Sequence, residues 1–102
     1  MAGIKARAKQ KGDSVQVKML MQHPMESGQR KDKQGNRIPA YHITEVTIKA
    51  GQSVLMQANF GPAVSKNPYL SMFVNGPQKG DVINIGWIDN QGKTANIDVV
   101  VK

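Results

Sequence analysis

The chain has 102 residues and no cysteine, and its 14 Lys and Arg against seven Asp and Glu leave a formal charge of +7. The length is the common size of a single domain, 1–102, and the lack of thiols excludes disulfides, thiolate catalysis, carriage of a substrate on sulfur and cysteine-ligated metals. Residues 1–37 hold +6 of the charge, a field that draws nucleic acid, anionic lipid, acidic protein or small anions alike, because it selects sign and not identity.

From the amino terminus, Ile4, Ala6 and Ala8 alternate with Lys5, Arg7, Lys9 and Lys11. This predicts an extended strand with four cations on one face, either an edge guarded by charge or a docking surface. The same interruption of apolar residues leaves no h-region of a signal peptide, and no stretch approaches the ~20 apolar residues of a membrane span. Next, Val15, Val17, Met19 and Met21 share one parity, with Leu20 apolar on the other. Val46 and Ile48 begin a strand that the Ala50-Gly51-Gln52 turn connects to a second, in which Val54, Met56, Ala58 and Phe60 share a parity. Leu70, Met72 and Val74 follow, with Phe73 off parity; ordinary packing is the expectation for both Leu20 and Phe73. Ile83, Ile85 and Trp87 then lead through Asp89-Asn90-Gln91-Gly92 to Ile97, Val99 and Val101, in a hairpin that places Trp87 and Ala95 together. Period two throughout, with turn residues between the runs, predicts an all-β immunoglobulin-like β-sandwich of about seven strands, a barrel being the runner-up.

Two segments depart from this rhythm. Residues 23–39 form a connection longer than the ~12 to 15 residues at which structureless loops become uncommon, and such loops tend to be functional. Residues 60–69 contain Pro62 and Pro68, which cannot donate to a ladder, so this stretch is expected to cross between sheets.

Searching for chemistry yields little. His23 and His42 stand 19 residues apart without a third nitrogen or sulfur ligand, so a satisfied or exposed histidine is favoured over a metal site. The carboxylates are dispersed, and Asp13, Asp81, Asp89 and Asp98 are expected at turns or on solvent faces. Neither of the glycine-rich nucleotide-binding patterns occurs, and the aromatics Tyr41, Phe60, Tyr69, Phe73 and Trp87 do not interleave with the basic run as a single-strand stacking platform would require. No catalytic, cofactor-binding or metal residue is therefore predicted. Arg30, Lys31, Lys33 and Arg37 are close enough in the long loop to act together on an anion.

The stretch His23-Pro24-Met25-Glu26-Ser27-Gly28-Gln29-Arg30-Lys31-Asp32, then Gly35 and Ile38-Pro39, then Ser65-Lys66-Asn67-Pro68-Tyr69-Leu70, then Trp87-Ile88-Asp89-Asn90-Gln91-Gly92 resemble the signature segments of the SoxZ family. The first and the Asn-Pro-Tyr segments are specific in combination; the tryptophan hairpin alone would be weak. The resemblance spans nearly the whole chain. It implies an immunoglobulin-like sandwich without catalytic activity that pairs with SoxY, the subunit whose glycine-rich arm carries thiosulfate-derived sulfur on a cysteine. It also implies transient contact with other Sox enzymes, no nucleic acid or membrane partner, and periplasmic work after export with a signal-bearing partner. The partner-binding residues expected on this basis are His23, Pro24, Met25, Arg30, Lys31, Lys33, Arg37, Asn67, Pro68 and Tyr69. In isolation a homodimer is a natural state for such a subunit. The alternative from another class is a stand-alone basic binding module for nucleic acid or an acidic protein.

Overall fold

A computed structural model of the chain describes residues 3–102. Met1 and Ala2, which the single-domain expectation includes, lie outside the described residues. Seven strands occur in chain order: β1 (Gly3–Lys11), β2 (Ser14–Gln22), β3 (Ile43–Ala50), β4 (Ser53–Asn59), β5 (Tyr69–Val74), β6 (Val82–Asp89) and β7 (Thr94–Val100). They form a three-stranded sheet of order β1-β2-β5 and a four-stranded sheet of order β4-β3-β6-β7, each antiparallel. The fold is all-β and has the architecture of an immunoglobulin-like sandwich. No helix occurs among the described residues.

The alternation read from the chain accounts for the core. The central strands β2, β3 and β6 contribute Val15, Val17, Met19, Met21, Ile43, Val46, Ile48, Ile83, Ile85 and Trp87, all buried. Their apolar parity is therefore the inner face of each sheet. The segment 60–69 carries the chain from β4 in one sheet to β5 in the other, and its Pro62 and Pro68 fall in the crossing, outside the ladders. Trp87 and Ala95 are direct partners in the β6–β7 hairpin.

On one side the two sheets are stitched together. Ala8 pairs with Val101 in parallel, the Gln10 amide donates to the Lys102 carbonyl at 2.8 Å, and the Lys102 amide donates to Ala8 at 3.0 Å. Barrel-like closure is thus confined to the β1–β7 side, and β4 and β5 remain edges.

Three expectations need correction. In β4, Ile48 faces Met56 while Lys49 faces Val54, so Leu55 is an extra residue and the ladder bulges there. A bulge inverts the alternation beyond it, which leaves Val54 56% exposed and turns Leu55 with Met56 toward the interior. Phe73 does not pack: it is 62% exposed on the outer face of β5. Asp89 does open the turn, its carbonyl accepting the Gly92 amide at 3.0 Å, but it is not solvated, being 3% exposed at the end of β6.

Candidate partner-binding site

The long loop begins where β2 meets proline. Pro24 has no amide to extend the ladder, and it confines His23 to extended geometry, so His23 keeps the inward parity of Val15, Val17, Met19 and Met21. The imidazole is buried, with 2% of the residue exposed, and its Nε2 lies 3.1 Å from Asp89 Oδ2. Its Nδ1 accepts the Met25 amide at 3.1 Å, so the ring proton resides on Nε2 and is donated to the carboxylate. The second carboxylate oxygen, Oδ1, accepts the amides of Gln91 and Lys93, each at 2.9 Å. Burial opposes the charge of Asp89, but the hydrogen bonds from His23, Lys93 and Gln91 outweigh it and hold its carboxyl below the ordinary aspartate range.

Around this pair the chain is drawn in from four places. Tyr41 lies against the His23 ring with centroids 4.5 Å apart, Trp87 meets it edge-on at 5.2 Å, and Lys93 Nζ sits over the Tyr41 ring, 5.4 Å from its centroid. Asn67 accepts the His23 amide on its side-chain oxygen at 3.0 Å and returns its own amide to the His23 carbonyl at 3.0 Å. Asn90 binds the amide of His42 and the carbonyl of Ala40, both at 2.9 Å. Met25 and Asn67 both adopt a φ of 51°, the left-handed region that side chains rarely enter. For Met25 the hold comes from three directions: its amide on His23 Nδ1, its sulfur accepting the Ile43 amide at 3.3 Å, and its burial.

From this hub a short arm emerges. Glu26 and Tyr41 exchange backbone hydrogen bonds at its root, and Lys31 pairs with Arg37 farther out. Its turn is held by Asp32, whose Oδ1 accepts the amides of Gln34 and Asn36 at 2.9 Å each, with Gly35 at φ 85°. The 17-residue connection is therefore an ordered hairpin and not a structureless loop.

The predicted partner-binding residues divide accordingly. His23, Met25 and Pro68 are buried and serve this chain's own interior, while Pro24, Arg30, Lys31, Lys33, Arg37, Asn67 and Tyr69 are exposed. Lys31 and Arg37 are brought opposite each other and Lys33 lies in the adjacent turn. Arg30 is engaged by Glu26 through two guanidinium hydrogen bonds, and this pairing lowers the Glu26 pKa. Beside the hub an open cleft of about 460 Å³ is lined by Tyr41 and Asn67 and flanked by Lys66 and Lys93. Tyr41, Asp89, Asn90, Lys66 and Lys93 escaped the sequence reading of this site, although Asp89 continues the inward parity of Ile83, Ile85 and Trp87. No cluster of three or more metal-ligating side chains occurs among the described residues.

The signature stretches 65–70 and 87–92 thus meet the first one at His23. A family model described as sulphur oxidation protein SoxZ matches residues 4–99. The chain belongs to the SoxZ family. SoxZ membership assigns the chain to the Sox system of sulfur oxidation. A comparison with curated proteins found no match.

Proposed function

We propose that this chain is the non-catalytic Z subunit of a SoxYZ sulfur carrier, binding and supporting SoxY while SoxY holds sulfur intermediates on its cysteine. The observation that carries this reading is the SoxZ family match over residues 4–99. The chemistry of the hub agrees with it. The buried histidine–aspartate pair, which in an open cleft could serve as a proton-transfer couple, has both side chains wholly shielded from solvent and its hydrogen-bonding positions taken. Its work is to hold the base of the arm.

The exposed cations of the arm, Lys31, Lys33 and Arg37, together with Lys66 and Lys93 of the adjoining cleft, form the positive end of the sandwich to which enzymes and a carrier with anionic sulfonate cargo are drawn. Such charge raises encounter rate and specificity, while a small apolar centre supplies affinity. The subunit works in the periplasm and is exported with its signal-bearing partner.

Co-expression with SoxY tests the pairing. The tagged chain is expected to co-purify with SoxY at stoichiometric yield and to appear in the periplasmic fraction only when SoxY carries its signal peptide. Failure of SoxY to co-purify, or sulfur-compound turnover by the chain alone, refutes the assignment.

A further inference from the structure

The outward face of the β1-β2-β5 sheet takes no part in the hub or the arm. Strand register sets Lys5 beside Leu20 and Tyr69, Arg7 beside Lys18 and Ser71, and Lys9 beside Gln16 and Phe73. None of the three strands contains an Asp or Glu. Among the described residues, none of the cations Lys5, Arg7, Lys9, Lys11 and Lys18 is in an ion pair. Tyr69 is 58% and Phe73 62% exposed, and Leu20 lies between Tyr69 and Lys5. A shallow depression of about 290 Å³ lies among Lys5, Arg7, Lys18, Leu20 and Tyr69.

The geometry points to a docking surface for an acidic polypeptide segment, one with carboxylates along one side and apolar side chains along the other. This rests on the protein-binding role proposed above, and the charge and spacing narrow it. Cations on β1 recur every second residue, about 7 Å apart, and the aromatics stand two strands away, roughly 10 Å across the sheet. A single chain segment lying along the sheet spans that width, a helix being about 10 Å in diameter. A second copy of this face is disfavoured because it would set five cations against five. Single-stranded nucleic acid fits poorly: Tyr69 and Phe73 are four residues apart on one strand, about 13 Å, too far to stack successive bases and displaced from the cation column. A bilayer fits poorly as well, since the exposed apolar side chains Tyr69 and Phe73 stand about 13 Å apart with Ser71 between them and form no continuous apolar face.

The test uses the full chain with a short fluorescein-labelled peptide of Glu, Leu and Tyr, its Lys-for-Glu counterpart, an oligo-dT strand and vesicles containing phosphatidylglycerol. Binding of the acidic peptide is expected, with no binding of the basic one. The exposed-site variant K5E/R7E/K18E should weaken it about tenfold or more, and Y69S/F73S, which changes no charge, about threefold. Circular dichroism checks that both variants remain folded. Absence of peptide binding, indifference to both variants, or tighter binding of oligo-dT or vesicles overturns the inference. If SoxY co-purifies while the peptide does not bind, this surface assignment fails and the subunit reading stands; if the peptide binds and SoxY does not co-purify, the reverse holds.

Discussion

Asp89 and His23 show how a pair of polar residues can be interior material. Each continues the inward parity of an apolar strand, and each is tolerated because every atom finds a partner. Asp89→Asn tests this at single-atom resolution. An amide group has only one acceptor, so its NH₂ must face either the His23 Nε2 proton or the two backbone amides that Oδ1 now receives. The expected loss is about 2–3 kcal/mol, read as a fall in melting temperature of about 10–20 °C. The acid limb has a definite sign. The folded-state pKa of Asp89 is lowered from 3.8, so its stabilisation is complete above that value and is lost as the pH falls through the lower folded value. Thermal melts from about pH 4 downward should therefore show the gap between wild type and D89N closing. A gap that widens on acidification would contradict the proposed ionisation.

At the level of elements, the arm from Glu26 to Tyr41 is held from two ends. Its root is tied to the sandwich through the buried Met25 and the Glu26–Tyr41 pairing, whereas its exposed turn is held by the Asp32 side chain and a few backbone hydrogen bonds, among them Ile38 amide to Arg30 carbonyl at 2.7 Å. Asp32→Ala removes two hydrogen bonds at an exposed site, so about 1 kcal/mol of local stability should go, near fivefold in amide exchange for residues 30–38. The melting temperature should not move, because the arm can open without the core. Cooperative loss of both would mean that the arm is part of the global folding unit. The β4 bulge belongs to this scale too: one unmatched residue, Leu55, reverses which side chains face the core, and no residue of that strand announces it.

For the whole molecule, the positive charge resolves into two separate surfaces that the chain order runs together. The arm carries Arg30, Lys31, Lys33 and Arg37 at the hub end, while Lys5, Arg7, Lys9 and Lys18 cover the face of the smaller sheet. Changing Arg30, Lys31, Lys33 and Arg37 together to Gln is expected to slow thiosulfate turnover by the reconstituted Sox proteins about tenfold at low ionic strength, with the difference shrinking as salt screens the encounter. Their exposure predicts an unchanged melting temperature. Equal turnover at every salt concentration would remove the arm from the docking role.

Strand identity, the core of β2, β3 and β6, the β6–β7 register at Trp87 and Ala95, and the sheet-crossing prolines were all legible in the chain, because period two, turn residues and missing amides are local properties of a backbone. The same reading did not foresee the burial of Asp89 and expected Phe73 to pack. Those errors share one cause. Whether a polar atom is satisfied and which cations share a face with Tyr69 and Phe73 depend on partners 44 to 66 residues away, as in the pairing of His23 with Asn67 and Asp89. Local pattern specifies the strands and their inner faces; only the assembly of two sheets decides how long-range neighbours share hydrogen bonds, charge and exposure.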